Sequence, residues 1–222
     1  MNALPTTTAI DRDHYFSLVA AYHGETTREQ DAGVGEVHPE WAIGLADGRF
    51  LFDLITENAL ALTIEIGLCE GASAVHMAAA HAVSGFGLHF AIDPFQHEYF
   101  GGQGVRSIDR FGLTSWFRHI PERSDRSLSS LAAAGVKFDL IFIDGDHRFD
   151  AVFNDYYWSD KVLRDGGYLI FDEAGRDCPT KRVSSFIQNN MKNYELRPGP
   201  SRFYVYQKIT KDDRGFGDMI DF

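Results

Sequence analysis

Three scarcities bound this 222-residue sequence before any motif is read. It has two cysteines, Cys69 and Cys178, far apart in the chain. Two separated cysteines make no disulfide framework, and they read as free thiols of a reducing cytoplasm. It has no long apolar run: the most hydrophobic windows are broken by His or Gly well before the roughly 20 residues a membrane span needs. It also lacks positive charge, with 21 Lys and Arg against 32 Asp and Glu and a formal net charge of −11. That balance argues against a nucleic-acid partner, because gripping a phosphate backbone takes a basic surface. The short basic spots at Arg123, Arg126 and Lys181-Arg182 read as solvated surface. The opening MNALPTTTAI has neither the charged nor the apolar region of a signal peptide, so a cytoplasmic, membrane-free location is expected. There is no internal repeat and no low-complexity segment.

What is there begins with a segment unlike the rest. Residues 1–58 carry DRDHYFSLVAAYH, the polar HGETTREQDAGVGE and HPEWAIGLADGRFLFDLITEN. They read as a short helix, a polar loop and a helix over roughly 46–58. The stretch 22–45 can serve as a lid over a site or as a plain connector. From residue 60 short apolar runs alternate with helix-forming stretches. LALTIEIG, LHFAID, WFRHI, FDLIFID and YLIFDE read as strands, with a long insert over 95–116. ASAVHMAAAHAV, SLSSLAAAG, RFDAVFNDYYWSDKVLRDGG and PTKRVSSFIQNNM read as helices, the third ending in Gly-Gly and the last starting at Pro179. YELRPGPSRFYVYQKI reads as a hairpin around Pro-Gly-Pro. The pattern predicts an α/β fold, a doubly wound sheet of seven strands over 59–210, mostly parallel with a C-terminal antiparallel hairpin. Residues 211–222 form a polar tail.

The first strand runs into Glu65-Ile66-Gly67-Leu68-Cys69-Glu70-Gly71-Ala72-Ser73. A dinucleotide fold offers G-x-G-x-x-G there, so that backbone can approach a pyrophosphate. Here the pattern is E-x-G-x-x-x-G with Glu70 inside it. A carboxylate is a poor neighbour for a diphosphate and suits a ligand that carries positive charge and no phosphate. A nicotinamide dehydrogenase is disfavoured on the same ground. The second strand ends at Asp93, where an acid can accept both hydroxyls of a ribose; Asp-Pro is also ordinary turn chemistry.

The fourth and fifth strands end in acids, Asp144 and Asp172-Glu173. Neighbouring parallel strands lie roughly 4.8 Å apart, so these carboxylates fall within reach of one ion at the edge where open α/β sheets bind ligands. Three gathered acids repel one another unless a cation is present or some are protonated. All the donors are oxygens, which favours Mg²⁺, Mn²⁺ or Ca²⁺ over zinc. The plainer reading is that acids at strand ends cap helices or turns, and Asp146 and Asp150 are assigned that role. His147 follows Asp144 by three residues, and an imidazole that titrates near ~6.5 can take a proton at neutral pH. His76, His81 and His89 read as structural.

TIEIGLCEGASAVHMA, FAIDPF, ERSDRSLSSL, FDLIFIDGDH and DGGYLIFDE together resemble the class I S-adenosylmethionine-dependent methyltransferases, over roughly residues 45–207. The nearest branch is the small-molecule enzymes that include macrolide-sugar O-methyltransferases and, beyond them, catechol O-methyltransferase. The resemblance implies a Rossmann-like sheet with S-adenosylmethionine as cofactor. Glu65, Gly67, Gly71 and Ser73 would then lie at the amino-acid end of the cofactor, Asp93 at the ribose and Ser124 near the adenine, with Asp144 also on the cofactor side. It further implies a divalent cation, Mg²⁺ foremost, on Asp144, Asp172 and Glu173. His147 would be the base and act with Asp144 at the chemical step. The acidic Glu173 stands where the catechol branch has an amide, which leaves the acceptor open. Relatives of this kind often assemble into homo-oligomers. The expected reaction is metal-assisted O-methylation of a small-molecule, natural-product or sugar-like hydroxyl. Aromatics such as Phe95, Tyr99, Phe100, Phe149 and Trp158 are candidates for the acceptor pocket. The alternatives are a metal-independent methyltransferase on nitrogen or another acceptor, and a cofactor-binding protein without turnover.

Overall fold

The computed structural model describes residues 11–15, 17, 19, 42–175 and 177–221. Its elements are α1 (Leu45–Glu57), β1 (Leu62–Ile66), α2 (Ala72–Ser84), β2 (Leu88–Ile92), α3 (Gln103–Arg110), β3 (Phe117–Ile120), α4 (Ser124–Ala133), β4 (Phe138–Ile143), α5 (Phe149–Val162), β5 (Leu163–Phe171), α6 (Pro179–Asn190), β6 (Tyr194–Arg197) and β7 (Tyr204–Lys208). The strands form one seven-stranded sheet in the order β3-β2-β1-β4-β5-β7-β6. The first five pair in parallel. β7 pairs antiparallel with both β5 and β6, as the Pro-Gly-Pro hairpin predicts. Of the stretch 22–45, residues 22–41 lie outside the described residues. Among the described residues no helix is long and apolar enough to cross a membrane.

The apolar runs are nearly continuous because both faces of the sheet are covered. Alternate residues of β4 go to opposite sides: Leu140 and Phe142 join the core under α1 and α2, whereas Ile141 and Ile143 join the core under α4, α5 and α6. α2 has no polar face. Every residue from Ala72 to Ala82 is buried, because the helix lies between the sheet and α1. α1 meets it through Gly48, Leu51, Phe52 and Ile55, an i, i+3, i+4, i+7 stripe. Gly48 is needed at that crossing, since a Cβ there would stand 2.1 Å from the His76 ring. His76 is structural, as expected, and its Nδ1 meets the Tyr15 hydroxyl at 2.7 Å.

One helix ends earlier than the sequence pattern suggests. α5 stops at Val162 rather than at Gly-Gly, and β5 opens with Leu163 paired to Phe138. The ladder resumes only at Tyr168 opposite Leu140. Gly166 bends the intervening bulge at φ +80, and a Cβ on Gly167 would stand 2.7 Å from Leu163. Burial of Leu163 therefore outweighs the helix propensity of the residues around it.

Candidate functional site

β1 and β4 are neighbours in the sheet, but the helices that follow them cover opposite faces. That reversal leaves a crevice beyond their carboxyl ends. The chain crosses itself closely there. The Gly67 amide donates to the Ile92 carbonyl and the Asp144 amide to the Ile66 carbonyl, both at 2.9 Å. A Cβ on Gly67 would stand 2.1 Å from the Asp144 carbonyl oxygen, and φ is +93. Glycine is therefore required by both space and backbone conformation. Gly71 caps α2 at φ +89. Between them Cys69 holds φ +46 with a side chain attached, a conformation uncommon outside glycine. Burial, helped by Glu70, pushes the Cys69 thiol up to about 12, which works against the thiolate form.

The residues assigned to this turn divide into walls and supports. Glu65 is fully buried beneath it. Its carboxylate accepts a hydrogen bond from the Ser73 hydroxyl and lies 3.3 Å from His89 Nε2. The expected direct contact of Glu65 with a ligand is thus replaced by support of Ser73 in the first turn of α2. Strand parity is the reason: Ile64 and Ile66 face one core, so Thr63 and Glu65 face α2. Thr63 continues the buried network to His81 at 2.9 Å and His89 at 3.0 Å. Burial, reinforced by His89, lowers His81 to about 3 and keeps it neutral.

Asp93 lies at the cleft, yet its carboxylate is turned back on the glycine loop. Oδ2 accepts from the Leu68 amide at 3.2 Å, the Cys69 amide at 3.1 Å and Gln96 Nε2 at 2.9 Å. Oδ1 accepts from the Phe95 amide at 2.8 Å. Three of these donors crowd Oδ2, whereas Oδ1, with one, keeps a lone pair for a further donor. Gln96, which no local pattern marks, completes the brace by donating to the Cys69 carbonyl at 2.7 Å and accepting from the Gly104 amide at 3.1 Å. Ser124 lines the cleft and donates to Asp155 Oδ1 at 2.6 Å. Burial pushes Asp155 up to about 6, while the hydroxyl of Ser124 works in the opposite direction. A buried acid in mid-helix carries no sequence signal.

At the ends of β4 and β5 the acids meet as expected. Burial pushes the Asp144 carboxyl well above the usual range, Asp172 beside it adds to this, and Arg202 opposes it. Asp172 is 2 % exposed, and Arg202 grips it with both arms, Nε to Oδ1 at 2.5 Å and Nη2 to Oδ2 at 2.7 Å. Glu173 holds φ +65 and turns to His147, with Oε2 3.4 Å from Nδ1. Among the described residues no three His, Cys, Asp or Glu side chains are gathered to hold a metal ion. The predicted ligands Asp144, Asp172 and Glu173 thus stand at one end of the sheet with a guanidinium along one edge of Asp172. Arg202 stands in a hairpin turn where nothing in its neighbourhood of the sequence marks it. Asp146 is a turn residue, as read, accepting from the Arg148 amide at 3.0 Å and pairing with that side chain.

One cleft of about 870 Å³ is lined by Gly67, Cys69, Asp93, Ser124, Asp144, Asp155, His147, Glu173 and Arg202 together. Phe95 and Phe100 also line it, whereas Phe149 packs on Phe153 and Trp158 on Tyr157. Beside it a hollow of about 30 Å³ is closed by Ala42 and Ile43 over Gly67, Glu70 and Ser73.

Solved structures share this architecture. The chain superposes on a methyltransferase from Podospora anserina bound to SAH with a TM-score of 0.68, at 12% identity over 87% of this chain and 88% of that one. The values for an O-methyltransferase from Bacillus cereus in complex with SAH are 0.66 and 18%, over 92% and 97%. For the O-methyltransferase TomG of Streptomyces achromogenes, involved in tomaymycin synthesis and solved with SAM, they are 0.63 and 17%, over 85% and 86%. At such identities the likeness is one of fold. An uncharacterised protein of Acanthamoeba polyphaga mimivirus is 46% identical over 35 residues, a match spanning 16% of this chain and 16% of that protein. A family model described as a methyltransferase domain matches residues 64–174, half of the chain. That span begins within β1 and closes just past Glu173, so it takes in the glycine turn and both acid-bearing strand ends, and on this match the chain belongs to the methyltransferase-domain family.

Proposed function

We propose that this protein transfers a methyl group from S-adenosylmethionine to a hydroxyl of a small-molecule acceptor. The observation that carries the proposal is that one cleft is lined both by the glycine turn and by the His147–Glu173 pair. Family membership supports methyl transfer, and the SAM or SAH bound to the three structural neighbours supports the cofactor. The O-methyltransferases among those neighbours support an oxygen acceptor. The net charge of −11 supports a small molecule over a nucleic acid.

S-adenosylmethionine, when bound, supplies an electrophilic methyl on a sulfonium. The chain provides a bare backbone at Gly67 and, at the smaller hollow, Glu70 as a carboxyl neighbour suited to a cationic ligand. His147 is half-exposed in the cleft and takes the proton of the acceptor hydroxyl. Glu173, held at 3.4 Å from Nδ1, orients the ring and balances the charge that forms on it, so that Nε2 receives the proton. Much of the rate comes from holding the oxygen in line with the methyl. Arg202 already brings a fixed positive charge to Asp172 and takes a lone pair on each of its oxygens, so no step is assigned to a divalent ion.

Calorimetry with S-adenosylmethionine, followed by transfer of a labelled methyl to a panel of hydroxylated small molecules, tests the reading. Wild type should bind the cofactor. His147→Ala should keep that affinity and lose about 10²–10⁴ in turnover, the usual worth of a positioned base. Absent cofactor binding, or undiminished turnover in His147→Ala, would sink the proposal.

A further inference from the structure

We infer that Arg202 is the resident cation of this site, standing where the acids of β4 and β5 lead one to expect a divalent metal, and that it positions Glu173 against His147. The inference rests on the methyl-transfer reading only for its kinetic consequences; the geometry stands without it. A divalent ion of the Mg²⁺ or Ca²⁺ class needs several oxygens at roughly 2.0–2.6 Å. Asp172 keeps only the outer lone pair of each oxygen, since Nε and Nη2 of Arg202 take Oδ1 and Oδ2 at 2.5 and 2.7 Å and bring a positive charge against it. A guanidinium is charged at every relevant pH and matches a carboxylate with two parallel bonds. A buried carboxylate keeps such a partner, because losing it leaves an uncompensated charge.

Arg202 is also anchored away from the acid. Its Nη1 donates to the Ala42 carbonyl at 2.9 Å, which ties it to the segment that closes over the glycine turn. Its own carbonyl accepts from the Ala174 amide at 2.7 Å. One residue thus holds both neighbours of Glu173, Asp172 through the side chain and Ala174 through the backbone. Glu173 sits between them at φ +65, which a residue with a side chain keeps only where its surroundings enforce it. The clamp turns Glu173 toward His147. Methyl transfer then requires no divalent ion, and the function of Arg202 is to neutralise Asp172 and position the base pair.

Mn²⁺ titration of the whole chain, followed by electron paramagnetic resonance and calorimetry, tests this directly. Wild type should show no saturable Mn²⁺ site below a concentration on the order of 1 mM. Arg202→Ala should gain one, and adding Asp172→Asn to it should remove the gain. Turnover of wild type should be unchanged by EDTA. Arg202→Ala should lose about tenfold to hundredfold in kcat, as expected when an orienting partner is lost, with S-adenosylmethionine affinity kept. Added guanidinium should restore turnover and methylammonium should not. A wild-type Mn²⁺ site that Asp172→Asn abolishes, or EDTA-sensitive turnover, overturns the inference. If Arg202→Ala does not fold, the Mn²⁺ titrations of wild type and Asp172→Asn decide alone. Wild type that fails to bind S-adenosylmethionine refutes the proposed reaction, while the Mn²⁺ result still decides the role of Arg202.

Discussion

Replacing Gly67 by alanine tests the geometry on which the whole site rests. Two costs add at this position. A side chain at φ +93 occupies a left-handed conformation worth about 1–2 kcal/mol against an L-residue. The new Cβ would also stand 2.1 Å from the Asp144 carbonyl oxygen, a rigid backbone atom that a rotamer change cannot move. Relief requires β1 and β4 to part where the Asp144 amide bonds the Ile66 carbonyl, and overpacking of this kind costs about 1–3 kcal/mol. The expected loss is therefore about 2–5 kcal/mol, or a fall in Tm on the order of 10 °C for a chain of this size. Gly85→Ala is the internal control. It shares the left-handed backbone at φ +73 but has nothing within 4 Å of its Cβ, so it should cost only about 1 kcal/mol. Thermal and denaturant unfolding of both variants, with calorimetry for S-adenosylmethionine, separate the two costs. Gly67→Ala should also lose cofactor binding, whereas Gly85→Ala should keep it. Equal unfolding curves for the two variants would refute the close crossing of Gly67 and Asp144.

Three further outcomes follow from the buried acids and histidines. His81 is lowered to about 3 from 6.5 by burial and by His89. The unfolded chain therefore binds its proton first, and the stability it contributes is full above pH 6.5 and drains as pH falls toward 3. Relative to His81→Gln, wild type should lose about 3 kcal/mol between pH 6.5 and 4 in denaturant titrations, and parallel curves would exclude this. Asp155, raised to about 6 chiefly by burial, behaves in the opposite sense: its contribution is full below pH 3.8 and lost as pH rises through 6. Asp155→Asn, which can keep the Ser124 hydrogen bond, should gain on wild type by up to about 2–3 kcal/mol above pH 6 and match it near pH 4; a constant difference across pH argues against a buried acid there. Glu173→Gln keeps shape and loses charge beside His147, so kcat should fall about tenfold with cofactor affinity unchanged, and an unaltered kcat would remove Glu173 from the mechanism.

Much of the architecture was legible in the residues. β1, β2, β4 and β5 are short apolar runs that end at a glycine or an acid. Doubly buried parallel strands demand continuous hydrophobicity, and their functional residues stand at their carboxyl ends. That is why Gly67, Asp93, Asp144, Asp172 and Glu173 could be named before any coordinates. The boundary of α5 was not legible, because the burial of Leu163 against β4 overrides helix propensity. The side-chain partners of Glu65 and Asp93 were not legible for a related reason. Sequence puts both at the turn, but strand parity sends Glu65 under α2, and the amides of the loop draw in Asp93.

The sequence by itself determined the parallel sheet, the crossing point between its halves and the acids gathered there, since each of these follows from periodicity and from the residue at a strand's end. Only the tertiary structure decided what neutralises those acids. Arg202 follows Asp172 by 30 residues and reaches it because β7 runs antiparallel beside β5, with Tyr204 opposite Phe171. Pairing of charges across a sheet is a property of strand register and hairpin geometry, and no local run of residues contains it.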